Sequence, residues 1–109
     1  MSITNGTAIL DKLMSEADLQ SQVTELAEKT GWLFYHTYRS DRSPAGFPDL
    51  VLVRPPRLLF VELKKQKAKR TPAQDVWAEA LEEVSGPSEN VQYYCWRPSD
   101  WDEIVTVLR

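Results

Sequence analysis

The stretch Gly46-Phe47-Pro48-Asp49-Leu50-Val51-Leu52-Val53-Arg54-Pro55-Pro56-Arg57-Leu58-Leu59-Phe60-Val61-Glu62-Leu63-Lys64 decides how this chain reads. It contains two short apolar runs, Leu50 to Val53 and Leu58 to Leu63, rich in Val, Leu and Phe. The Pro55-Pro56 pair punctuates them as a tight connection. With Arg54 to Arg57 as the loop of an antiparallel hairpin, Val53 faces Leu58 and Leu52 faces Leu59. Counting down the ladder then sets Asp49 directly opposite Glu62. Directly opposed residues on one sheet face have Cβ atoms about 4.5–5.5 Å apart. Glu62 and Lys64 are two apart on one strand and share a face, while Val61 and Leu63 point the other way. Three ionisable groups thus converge at one end of an apolar hairpin. Two carboxylates that close repel each other unless a cation lies between them. Mg2+ is the expected occupant, with Mn2+ as its alternative, because Mg2+ takes one or two carboxylates and keeps its waters.

A Glu-x-Lys at a strand end is, by itself, an ordinary solvated face with a weak ion pair. Asp49 in cross-strand register, and the entry to its strand through Gly46 and Pro48, make the case for a site. Pro48-Asp49, then twelve residues, then Glu62-Leu63-Lys64 resembles the motif of the PD-(D/E)xK nuclease superfamily. The longer pattern, GFPDL, then FVELK, then Gln74 within TPAQDVW, resembles the VRR-NUC branch over residues 16 to 102, nearly the whole chain.

That resemblance implies an α/β fold with a restriction-endonuclease-like core, and the chain can be read in the same terms. Residues 1–14 are expected to be a flexible tail, with Ile9, Leu10, Leu13 and Met14 able to pack as a short helix, and 15–109 to form the nuclease domain. Ser15 and Asp18 form a capping-box-like start for a helix to about Lys29, ended by Gly31. Trp32 to Tyr38 alternates as a strand does, before the polar loop Arg39 to Ala45. After the hairpin and the loop Lys65 to Arg70, Thr71 as N-cap and Pro72 at the first helical position open a second helix to about Val84. A strand follows, Val91 to Trp96, and then a terminal helix over Asp100 to Leu108 capped by Ser99. The order α-β-β-β-α-β-α predicts a mixed β-sheet flanked by helices.

Composition is consistent with one small enzyme domain. The chain has 109 residues, 42% hydrophobic, enough for a core of its own. It holds no apolar run of the length a membrane helix needs, and its N-terminus has no secretory pattern. Cys95 is alone, so no internal disulfide forms, and a cytoplasmic setting is expected, that of the host cell if the protein is viral. The formal net charge of −3 weighs against a nucleic-acid partner only superficially, because seven of the thirteen Lys and Arg (Arg54, Arg57, Lys64, Lys65, Lys67, Lys69, Arg70) lie between Arg54 and Arg70 with Glu62 as the sole acid. Distribution outweighs the total, and a local basic field holds phosphates on an acidic protein.

The resemblance implies that Asp49 and Glu62 hold the metal, with the Leu63 backbone carbonyl as a further oxygen ligand. Lys64 would orient or deprotonate the attacking water and stabilise phosphate oxygens. Glu16 best matches the acidic residue that the family carries on its first helix, with Glu25 as its rival. Gln74 would lie near the active centre, although its position also completes a capping box with Thr71. Lys65, Lys67, Lys69 and Arg70 are expected to contact DNA. His36, the only histidine, reads as a packed strand residue, with substrate contact as the alternative. Small stand-alone members of the family resemble Holliday-junction resolvases acting on branched DNA as homodimers. Cleavage of simple duplex or single strands in a phage or mobile-element system, and a non-catalytic DNA-binding module, are the competing readings.

Overall fold

Ser15 and Asp18 start the first helix by mutual capping. The Ser15 hydroxyl accepts from Asp18 N–H, and the Asp18 carboxylate accepts from Ser15 N–H. The computed structural model describes residues 9–38 and 43–109, and there α1 spans Glu16–Lys29. Leu19, Val23 and Ala27 form its buried stripe, at helical spacing. Gly31, at φ 86°, takes the left-handed conformation that turns the chain out of the helix. Residues 9–13 are also helical, and Met14 packs against the core. The expected tail is therefore structured from residue 9, while its first eight residues, like Arg39 to Arg42 of the expected polar loop, lie outside the described residues.

Four strands form one mixed sheet in the order β1 (Leu33–His36), β2 (Leu50–Arg54), β3 (Arg57–Leu63) and β4 (Val91–Trp96). The first two pairings are antiparallel and β3–β4 is parallel, so the chain must cross over between them. The crossover is α2 (Pro72–Ser85), opened by Thr71 and Gln74 in a second capping box with Pro72 at its start. The helix α3 spans Trp101–Leu108. The hairpin register agrees with expectation, with Val53 opposite Leu58 and Leu52 opposite Leu59. The loop is tighter than four residues, since Arg54 and Arg57 also pair and only the two prolines turn.

Alternation then divides the sheet into two faces. Leu50, Leu52, Leu59, Val61 and Leu63 are buried in one core with residues of α1 and α3, among them Leu19, Val23, Ile104 and Leu108. Phe60, facing the other way, meets Phe47 edge-on at 6.2 Å, and Phe47 meets Trp77 of α2 at 5.0 Å. Alternate hairpin residues are thus taken up by two helical layers.

One expected cap is displaced. Arg97 N–H donates to Asp100 and opens a short 3-10 turn, Pro98–Asp100, ahead of α3. The Ser99 hydroxyl is occupied instead, accepting from the Gln66 side-chain amide at 2.7 Å.

Gly46 is where the hairpin approach meets α2. Its φ is 93°, and a Cβ there would lie 2.8 Å from Gln74 N and closer still to Ala73 O. Gly46→Ala should destabilise the fold by about 1–3 kcal/mol from backbone strain, with the clash added. Gly31→Ala, whose Cβ would meet only the Arg54 side chain at 3.9 Å, should cost less. Chemical denaturation of both variants measures the difference, and equal losses would contradict the close approach to α2.

Candidate active site

At the open end of the hairpin the pairing of Leu50 with Val61 leads, one step on, to Asp49 beside Glu62. Two bonds extend the sheet to this point. Thr37 N–H donates to Asp49 O at 2.8 Å, and Lys64 N–H donates to Trp96 O at 3.0 Å. The Thr37 hydroxyl also donates to Pro48 O at 2.8 Å. Asp49 is further held by its carboxylate, which accepts from Leu63 N–H at 2.7 Å. Its place is thus fixed by main chain on both sides.

Glu62 is buried, 1% exposed. Its Oε1 accepts from the Gln74 side-chain amide at 3.3 Å, while its Oε2 is buried without a hydrogen-bond partner. Gln74 serves two purposes, because its own Oε1 accepts from Thr71 N–H at 2.8 Å and caps α2. Lys64 is also buried, 7% exposed, two residues beyond Glu62. A buried carboxylate oxygen without a donor is costly. Its natural relief is a proton or a cation. A hard divalent ion is suited to the oxygen donors of Asp49 and Glu62, and the orphaned Oε2 is the observation that matches it.

Burial pushes the Glu62 carboxyl up to about 9, reinforced by Asp49, which accepts a hydrogen bond from the protonated form and repels the ionised one. Lys64 opposes the shift, and Glu16 adds to it. Glu16 of α1 therefore acts on Glu62 through its charge, whereas Glu25 pairs at the surface with Lys29 at 3.0 Å. Among the described residues no three or more of His, Cys, Asp and Glu converge as a metal cage. The centre is a carboxylate pair with a lysine and a glutamine beside it.

The basic residues separate into two groups. Arg54 and Arg57, which the sequence counts within the basic run around Glu62, lie at the far end of the hairpin, roughly 16 Å along a strand of five residues. Arg54 donates to the carbonyls of Thr30, Leu108 and Arg109, and Arg57 to that of Val107. Both stack on Trp32, at 4.6 and 5.0 Å from its ring. They close the C-terminal ends of α1 and α3 and have no part in a field around Glu62. Lys65, Lys67 and Lys69 are exposed on the loop after β3, while Arg70 forms an ion pair with Asp75 at 2.9 Å. His36 lies on the edge strand with its ring 4.1 Å from that of Tyr38.

Two residues near the site escaped the sequence reading. β4 runs parallel to β3 with Cys95 beside Glu62, which brings Arg97 alongside the loop, where it donates to Ala68 O at 2.8 Å. Tyr93 hydrogen-bonds Arg70 at 3.4 Å, and burial pushes its phenol up to about 12. The signal available was the parallel crossover, which makes VQYYCWR a neighbour of FVELK.

The raised Glu62 carboxyl links stability to pH in the metal-free protein. Its stabilising contribution is full below the ordinary carboxyl value of 4.5 and is lost as pH rises through about 9, because the unfolded chain releases a proton that the folded one retains. Glu62→Gln should melt progressively higher than the native chain, in EDTA, as pH rises from 5 to 9. A constant difference across that range would contradict the account.

Comparison with protein-family models gave no match, and comparison with curated proteins gave none. Among solved structures, one described as a VRR_NUC domain superposes with a TM-score of 0.65 and 25% sequence identity, covering 84% of this chain and 94% of that one. The likeness takes in the mixed sheet and its flanking helices, a restriction-endonuclease-like arrangement. With the register of Asp49 against Glu62, it supports assignment of the chain to the VRR-NUC family of the PD-(D/E)xK superfamily.

Proposed function

We propose that this nuclease domain is a metal-dependent endodeoxyribonuclease that hydrolyses phosphodiester bonds of branched DNA, working as a homodimer in the cytoplasm. The observation that carries the reading is buried Glu62, with an unpartnered oxygen, in register with Asp49 and beside buried Lys64. Solvated ion pairs are not built this way. A carboxyl pushed this far from its ordinary range by burial and by a charged neighbour is the kind of group that clusters at functional sites.

Asp49 and Glu62 would hold Mg2+ or Mn2+, with the Leu63 carbonyl as a third oxygen donor. The chemistry such an ion supplies is Lewis-acid neutralisation of the phosphate and acidification of a water at neutral pH. Asp49 is kept in place by Leu63 N–H, and Gln74 orients Glu62 through Oε1 while leaving Oε2 open. Lys64, on the face of Glu62, would orient the attacking water or take its proton, and its charge favours phosphate oxygens. Glu16 would keep the local field negative and so favour the cation.

The exposed edge of the sheet supports the homodimer reading. On β1 and just beyond it, Leu33, Tyr35 and Tyr38 are 73%, 59% and 69% exposed. An edge strand with exposed apolar residues and unpaired backbone groups is a ready partner for a second copy across a two-fold axis. No helix among the described residues is long and apolar enough to cross a membrane.

Duplex, flap and four-way-junction DNA offered with Mg2+, Mn2+ or EDTA separate the substrate readings. Cleavage should require the metal, favour the junction, and disappear in Asp49→Ala and Glu62→Gln. Equal cleavage of simple duplex would favour a general nuclease, and activity in EDTA would sink the metal-dependent reading.

Lys64→Ala should slow single-turnover cleavage by about 10²–10⁴-fold with little change in DNA binding. Lys65→Ala should lose only one exposed charge and shift binding modestly. Equal, small losses would remove Lys64 from the chemistry. Light scattering should give twice the monomer mass, and Leu33→Lys with Tyr35→Lys should give a monomer; a native monomer would overturn the dimer.

A further inference from the structure

The loop joining β3 to α2 alternates in exposure. Lys65, Lys67 and Lys69 are exposed, while Gln66, Ala68 and Arg70 between them are partly buried. Each of the inward residues is tied to a different part of the fold. The Gln66 side-chain amide donates to the Ser99 hydroxyl at 2.7 Å and accepts from Ser99 N–H at 3.0 Å. The Ala68 carbonyl accepts from the Arg97 guanidinium at 2.8 Å, and its N–H closes a turn onto Lys65 O at 3.1 Å. Arg70 is held by Asp75 at 2.9 Å and by Tyr93 at 3.4 Å, with Glu82 at 3.8 Å.

A surface loop of six residues with three lysines is ordinarily a solvated, mobile segment. Here the 3-10 turn ahead of α3, the end of β4 and the start of α2 all anchor it. Holding a backbone fixed before binding removes an ordering cost that the ligand would otherwise meet. Fixed lysines pointing outward, immediately after Lys64, suit a polyanion with regularly repeated charges.

We infer that Gln66 and Arg97 are positioning residues which hold Lys65, Lys67 and Lys69 as a preset comb for the phosphates of the DNA strand at the active centre. Arg70 belongs with these anchors, since two carboxylates and a phenol already engage it, and it is not a fourth tooth. The inference rests on the nuclease reading and concerns how that site takes its substrate.

The test is a double-mutant cycle read as equilibrium binding of four-way-junction and duplex DNA in EDTA at several salt concentrations. Replacing Lys65, Lys67 and Lys69 by Ala should lower the slope of log K against log salt by about 0.9 for each duplex phosphate that is no longer neutralised. Gln66→Ala, in the native background, should weaken binding about 3–10-fold, as fewer lysines meet phosphates at once. In the background lacking the three lysines it should change nothing. A merely structural role would weaken both backgrounds alike. Ser99→Ala, which removes the 2.7 Å acceptor at an exposed position, should reproduce the pattern more mildly and serves if Gln66→Ala folds poorly. An unchanged slope in the lysine variant would overturn DNA contact by this loop. A lower slope there, with Gln66→Ala silent or equally harmful in both backgrounds, would overturn the positioning role alone.

Discussion

Two carboxylates forced side by side at the end of a hairpin are the constraint on which the rest depends. Asp49 and Glu62 are brought together by strand register alone, and register on a sheet with two covered faces cannot slip by one residue without exposing its core. Leu50, Leu52, Leu59 and Val61 go into the interior with α1 and α3. The same alternation turns Glu62 toward α2, where Gln74 meets it. The register that sends the apolar residues into the core sends Glu62 to the opposite face, where it too is buried. The instability of that carboxylate is built into the fold, and relief by a proton or a cation is its consequence.

The surroundings hold the pair together and leave one oxygen open. Leu63 N–H fixes Asp49, and Gln74 is itself fixed by its capping role at Thr71. Gly46 lets the approach to β2 pass against the first turn of α2, so that helix start and hairpin end share one location. Among the described residues, Lys64 supplies the charge acting on Glu62 that favours its ionised form. Charges of the opposite effect come from Asp49 and, from α1, Glu16. This balance favours the neutral form of Glu62 and matches the proposed cation better than it matches a finished ion pair.

Most of this was legible in the sequence because the signals were local. Capping boxes at Ser15 and Thr71, the proline turn and period-two alternation each depend on a few neighbouring residues, and the opposition of Asp49 to Glu62 needs only counting from the turn. What escaped was non-local. Arg54 and Arg57 counted as part of a basic field by their nearness in sequence, yet the length of the strands carries them to the opposite end, onto Trp32 and helix carbonyls. Arg97 carries no local signal, because only the parallel β3–β4 pairing brings it beside the loop. Ser99 had the sequence of an N-cap, but Gln66 competes for its hydroxyl.

The claim that Asp49 and Glu62 form one cation site is tested most directly by calorimetric titration of Mn2+ into metal-free protein. The measurement is made at pH 7 in buffers of different ionisation enthalpy. A cation must displace the proton that burial retains on Glu62, so binding should be saturable, of unit stoichiometry, and accompanied by release of about one proton per ion. Asp49→Ala should abolish it. Absence of saturable binding, or binding undiminished in Asp49→Ala, would contradict the account.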